Sequence, residues 1–149
     1  MKSIHEWFSE YAQSHQHPIN VWIHKIAVPL IVFSTLGLVW NIPLAQTQHP
    51  FLNWAGVLVI SALLFYFRLS FPLFLGMVIF FSIDLYLLDW IDTHAPWPLW
   101  IISLSIFVVA WVFQLLGHAV EGKRPSFAKD LSFLLIGPLW VIAPFFKRI

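Results

Sequence analysis

Four long apolar runs dominate the chain, at about 19–40, 51–67, 71–88 and 97–116. Each approaches the ~20 residues a helix needs to cross ~30 Å of hydrocarbon, the second and third at the short end. The connections are short: residues 41–50 hold no Lys or Arg, Arg68-Leu69-Ser70 reads as a tight basic turn, and Asp89 to Pro96 is acidic and proline-bearing. Ahead of the runs, Trp7, Phe8 and Tyr11 fall at helical spacing opposite Glu6, Glu10 and Gln13. That pattern predicts an amphipathic helix on the membrane surface within residues 1–17. His17-Pro18 stops it, because proline cannot continue a helix but can open the next one. A last apolar run, 131–146, has 16 residues and is interrupted by Gly137-Pro138 and Pro144. As a helix it would cover about 24 Å. It predicts a re-entrant or interfacial helical pair, with a short fifth span as the alternative. The expected fold is all-α: one domain, 1–149, a multi-pass membrane helix bundle with four transmembrane helices.

Composition supports that class. The chain is 60% hydrophobic and 10% charged, too little charge to cover a soluble domain of 149 residues. A net charge of +1 gives no argument for nucleic acid, and the absence of cysteine excludes disulfides, thiolate ligands and a cysteine nucleophile. In the four-span topology Lys2, Lys25, Arg68, Lys123, Arg124, Lys129, Lys147 and Arg148 share one side, while Asp89 and Asp92 lie on the other. The positive-inside rule makes the basic side, with both termini, cytoplasmic. The N-terminus has no cleavable signal pattern and the ends carry no extension or retrieval signal. The expected location is therefore a bacterial inner membrane, with the endoplasmic reticulum as the alternative. A bundle of short spans can also form a homodimer.

The chemistry-bearing residues sit at the cytoplasmic ends of the spans. In His15-Gln-His17-Pro18-Ile-Asn20-Val-Trp-Ile-His24, Asn20 and His24 are four residues apart and share a helix face. His15 and His24 would be about 13.5 Å apart on one straight helix, so only a turn at His17-Pro18 can bring them together. In Gln114-Leu-Leu-Gly117-His118-Ala-Val-Glu121-Gly122, the residues Gln114, His118 and Glu121 form one stripe. The His118/Glu121 spacing also occurs in the ligand pairs of carboxylate-bridged metal bundles. Gly117 permits a close approach, and Gly122 with Pro125 ends the helix. Two or three imidazoles, a carboxylate and open positions suit non-haem Fe(II), with zinc the nearest competitor.

Plainer roles stand beside these. His17 is either a turn residue or a catalytic contact. Glu121 either ligates or pairs with Lys123 or Arg124. Asn20 and Gln114 read as orienters or substrate contacts. His5, His49 and His94 read as surface residues. Asp84, inside the third span, reads as a structural hydrogen-bonding group, to Tyr86 or a neighbouring helix. Trp40, Trp90, Trp97 and Trp100 read as interface anchors.

The two motifs together, His-x8-His around Pro18-Ile-Asn20 with Pro29, then Gln114-x2-Gly117-His118-x2-Glu121-Gly122-x2-Pro125, resemble a membrane family. This is the 2-hydroxy fatty acid dioxygenase family of phytosphingosine degradation, formerly domain of unknown function family 962. The resemblance covers nearly the whole chain; Ala27 stands where a glycine is expected. It implies an Fe(II)-dependent dioxygenase of fatty acid α-oxidation that uses O2 to shorten a 2-hydroxy fatty acid by one carbon. It also implies that His15, His24 and His118 hold iron, with Glu121 a fourth ligand or base. Lys25, Lys123 and Arg124 lie where they can attract the substrate carboxylate. Two other functions remain open: a zinc-dependent lipid hydrolase in which Glu121 activates a metal-bound water, and a non-enzymatic lipid-binding protein.

Overall fold

Ser3 opens the first helix with a capping box: its hydroxyl accepts the Glu6 amide, and the Glu6 carboxylate accepts the Ser3 amide at 2.6 Å. The computed structural model describes residues 2–42, 44, 52–126 and 132–145, and among these the regular structure is all helical. The elements are α1 (Ile4–Ala12), α2 (Pro18–Val39), α3 (Trp54–Leu69), α4 (Phe71–His94), α5 (Leu99–Glu121), α6 (Phe133–Ile142) and a 3-10 turn, Ala143–Phe145. His17 caps α2 and Pro18 occupies its first turn. Gly122 ends α5 at φ +70, a left-handed conformation that costs glycine little.

Helix ends are set by caps and prolines, not by where the apolar runs stop. The acidic stretch expected as a connection is helical through His94, and α5 continues to Glu121. The turn between α3 and α4 is Ser70 alone, so Arg68 and Leu69 belong to α3. An apolar run marks the part of a helix that meets hydrocarbon; the helix carries on into water until a residue stops it.

Three helices, α2, α4 and α5, are long and apolar enough to cross a membrane; α3, with 16 residues, is shorter. Many outward residues, including Ile26, Ile79 and Phe113, are more than half exposed. A continuous apolar exterior of that kind suits lipid. The helices run alternately up and down. Asn41 at the end of α2 reaches Asp92 at the end of α4, and the Trp54 amide that begins α3 donates to the Ile42 carbonyl. The start of α2 and the end of α5 therefore share one end of the bundle, with Arg68, Lys123 and Arg124, while Asp89 and Asp92 lie at the other.

α2 and α5 form the most extensive helix pair. Two glycines permit it. A Cβ on Gly37 would collide with Ser103, and one on Gly117 would lie 2.5 Å from the Asn20 side-chain oxygen.

Two expectations are corrected. First, the break expected at Gly137-Pro138 is absent: α6 runs unbroken through it, and Pro144 falls in the 3-10 turn. Gly137 places the α6 backbone against the Tyr11 hydroxyl, which a Cβ would meet at 3.1 Å. At ten residues α6 is about 15 Å long, half the hydrocarbon thickness. Second, the apolar face of α1 is covered by protein, not lipid. Trp7 and Tyr11 are buried against Phe133 and Ile136 of α6. α6 is also anchored to α3, whose Tyr66 hydroxyl donates to the Leu135 carbonyl at 2.8 Å. Trp40, expected as an interface anchor, is buried in the core, whereas Trp90, Trp97 and Trp100 are exposed.

Candidate metal centre

Three imidazoles meet at the end of the α2/α5 pair. His15 comes from the segment after α1, His24 from the second turn of α2 and His118 from the last turn of α5. One nitrogen from each lies within 4.8 Å of the other two. The rings stand nearly perpendicular, at 78° for His15/His24, 71° for His15/His118 and 86° for His24/His118. The turn at His17-Pro18 achieves the expected return of His15 onto His24, with ring centres 4.2 Å apart.

Hydrogen bonds fix which nitrogens face inward. His15 Nδ1 lies 2.6 Å from the Tyr11 carbonyl, and His24 Nδ1 lies 2.9 Å from the Asn20 carbonyl. A carbonyl only accepts, so each Nδ1 carries the proton and each Nε2 presents a lone pair. His15 Nε2 is buried with no hydrogen-bond partner, and His24 Nε2 is 3.1 Å from His118 Nε2. Two nitrogens bound ~2.1 Å from one ion at angles of ~90–109° would be roughly 3.0–3.4 Å apart. The His24/His118 separation therefore fits a pair of ligands on one divalent transition metal, with His15 within 4.8 Å of both, and the two backbone carbonyls are outer partners of the kind that ligating histidines usually have. Burial pushes His15 down to about 4, the Tyr11 carbonyl and the Glu121 charge opposing it in part and His118 adding to it, so its ring is neutral at pH 7, as a ligand must be.

The surrounding groups hold this geometry. Tyr11 stacks on His15 at 4.0 Å and 11°. The Ser14 and Ser126 hydroxyls share a hydrogen bond that fastens the segment after α5 to the one after α1. Sequence reasoning missed these three residues. Tyr11 had a signal, standing four residues before His15, but its apolar role on α1 concealed it. Asn20, fully buried, donates to the Ser14 carbonyl at 3.1 Å and to Glu121 at 3.2 Å. It orients rather than ligates.

Glu121 and His17 stand apart from the three-histidine cluster. Glu121 does not join the three histidines, nor does it ion-pair with Lys123 or Arg124. Its carboxylate accepts the amides of Gln16 at 3.1 Å and His17 at 2.7 Å, besides Asn20. These amides precede α2 and have no helical carbonyl to bind, so the carboxylate satisfies them. His17 is exposed, and its Nδ1 accepts the Ile19 amide at 3.3 Å as a helix cap.

The expected substrate contacts divide. Gln114 is buried one turn before His118, its side-chain oxygen has no partner, and it lines the same small pocket as His15, His118 and Ser126. Lys123 Nζ donates to the Gln13 carbonyl at 2.5 Å, at the rim. Arg124 is exposed beside it. Lys25 points away, over the Trp22 ring at 4.8 Å. His5 is exposed, His94 stacks on Trp90, and His49 lies outside the described residues. Asp84 is buried with Oδ2 unpartnered, and Tyr86, its suggested partner, is 67% exposed.

Among the described residues, an all-helical regular structure with three candidate membrane helices and a buried three-histidine cluster at one end describes a membrane protein with a prospective metal centre. The comparisons with known proteins sharpen this. Residues 1–149 match the family described as 2-hydroxy-palmitic acid dioxygenase Mpo1-like, and the chain belongs to that family. It is 29% identical over 142 residues to the 2-hydroxy-palmitic acid dioxygenase MPO1 of Saccharomyces cerevisiae, an alignment covering 93% of this chain and 77% of the yeast protein. No solved structure matches the chain.

Proposed function

We propose that this protein is a membrane-embedded dioxygenase that converts a 2-hydroxy fatty acid to the acid one carbon shorter, with Fe(II) held by His15, His24 and His118. The convergence of three neutral-capable imidazoles on one buried point carries the reading. The yeast relative's name supplies the substrate class.

Atom balance constrains the reaction. RCH(OH)COOH and one O2 give RCOOH, CO2 and H2O, and the four electrons leaving the two carbons equal those one O2 accepts. Neither 2-oxoglutarate nor an added reductant is needed. Iron, when bound, supplies the redox link between substrate and O2. The chain's own residues do the rest. The Tyr11 and Asn20 carbonyls hold two imidazoles in the ligating tautomer. Gln114 offers its carboxamide to the acid head from the pocket wall. Lys123 and Arg124 raise the local concentration of carboxylate at the rim. The pocket, about 40 Å³, admits little bulk water beside the histidines.

In the membrane we place four spans, the short α3 among them, with α6 re-entrant and the basic end in the cytoplasm. A bacterial inner membrane is the proposed location. The hydrolase reading is less favoured, because Glu121, its water-activating base, is occupied by amides.

The test is metal analysis of detergent-purified protein together with O2 consumption on 2-hydroxypalmitate. Near-stoichiometric iron and substrate-dependent O2 uptake are expected. Zinc with O2-independent turnover would replace the proposal by the hydrolase.

A further inference from the structure

Two cavities share a wall behind the histidines. The pocket lined by His15, Gln114 and His118 also touches Ile31, Val32, Trp111 and Leu134. The same four residues line a second cavity of about 450 Å³ enclosed by α2, α3, α4, α5 and α6. Its back wall is buried and apolar, built from Leu36, Ala62, Phe81 and the ring of Tyr66. Hydroxyl groups on this wall are already spent: Thr35 donates to the Ile31 carbonyl and Tyr66 to that of Leu135. One side is open between α3 and α6: Leu134, beside the histidine pocket, is 45% exposed, and Leu58, toward the far end, is 42% exposed. A third cavity, on the outer face of α2 and α5 beside Trp22 and Phe113, shares no lining residue with the histidine pocket.

Depth matches a long chain. Leu36 is twelve residues beyond His24 on α2 and Phe107 eleven before His118 on α5, which places the far end about 16–18 Å from the histidines at ~1.5 Å per residue. A zigzag alkyl chain with bonds of ~1.5 Å at tetrahedral angles advances roughly 1.25 Å per carbon. About 14 carbons fill that depth, on the same geometry the number beyond C2 in a sixteen-carbon acid.

We propose that the cavity sharing a wall with the histidine pocket is the acyl-chain chamber of the site, entered sideways from lipid beside Leu134, with Ile31, Val32 and Trp111 yielding to admit the tail, and that Leu58 and Phe107 at its far end set the preferred chain length. The proposal rests on the dioxygenase reading for its substrate class. The acid head lies at the histidines, and the tail lies along Val32, Trp111 and Leu134 into the chamber.

Two measurements test it. The first is photocrosslinking of the full-length protein in bilayer nanodiscs with 2-hydroxyhexadecanoic acid bearing a diazirine at its terminal carbon, mapped by mass spectrometry. It needs no turnover. Adducts on Leu58, Phe81 or Phe107 are expected; adducts confined to Trp22, Phe113 and their neighbours would overturn the chamber. The second compares chain lengths. Leu58→Trp shortens the chamber and is expected to lower the kcat/KM ratio of sixteen- to ten-carbon 2-hydroxy acids roughly tenfold, while Phe107→Ala deepens it and raises the twenty- to sixteen-carbon ratio by a similar factor. Ratios that stay within about twofold of the unsubstituted protein in both variants would overturn the length-setting role. Chamber adducts in a protein that turns over no 2-hydroxy acid would keep the chamber and defeat the dioxygenase reading instead.

Discussion

Each imidazole of the cluster supplies a lone pair that no neighbouring side chain duplicates. His24→Ala and His118→Ala should each abolish stoichiometric metal, measured by elemental analysis, and lower activity at least about a thousandfold, with helical circular dichroism unchanged. Glu121 separates ligation from support. If it acts through the amides of Gln16 and His17, Glu121→Ala weakens metal binding about 10–100-fold without removing the metal, and Glu121→Gln, which keeps an acceptor oxygen, recovers part of the loss. Metal titration by competition with a chelator decides this; loss of stoichiometric binding in both variants would restore Glu121 as a ligand. The histidines were legible because a turn at Pro18 and one helical stripe suffice to bring them together. The work of Glu121 and His17 was not. It depends on orphan amides of the turn, which no side-chain pattern records.

Among the elements, the α2/α5 pair positions the site and its contact depends on Gly117. Gly117→Ala puts a methyl 2.5 Å from the Asn20 oxygen, so the helices must separate or Asn20 must turn. A loss of about 1–3 kcal/mol is expected, read as a lower midpoint in thermal unfolding and accompanied by weaker metal retention. The α3/α6 link is milder. Tyr66→Phe removes one buried hydrogen bond and should cost about 1 kcal/mol by the same measurement, with metal content unchanged. The elements themselves were readable from hydropathy, and so was the break at His17-Pro18. Their ends were not, because Asp89 and Asp92 at the end of α4 stop the hydrocarbon without stopping the helix. α6 was misread because Pro138 was taken as a break, whereas the helix accommodates it and uses Gly137 to approach Tyr11.

At the scale of the molecule, the proposed chemistry predicts stoichiometry. One O2 should be consumed and one CO2 released per 2-hydroxy acid, measured with an oxygen electrode and a carboxyl-labelled substrate, and addition of 2-oxoglutarate should not change the rate. A requirement for a co-substrate would exclude the four-electron balance. The three histidines proposed as ligands also come from early and late in the chain: His24 and His118 touch across 94 positions. A nascent polypeptide that has emerged only as far as α4 holds two of the three clustered histidines and lacks His118. Under the proposed ligation, capture of the metal would report that α5 has inserted and packed beside α2. Ligand order alone would then keep a redox-active metal off half-made protein and give biosynthesis a checkpoint.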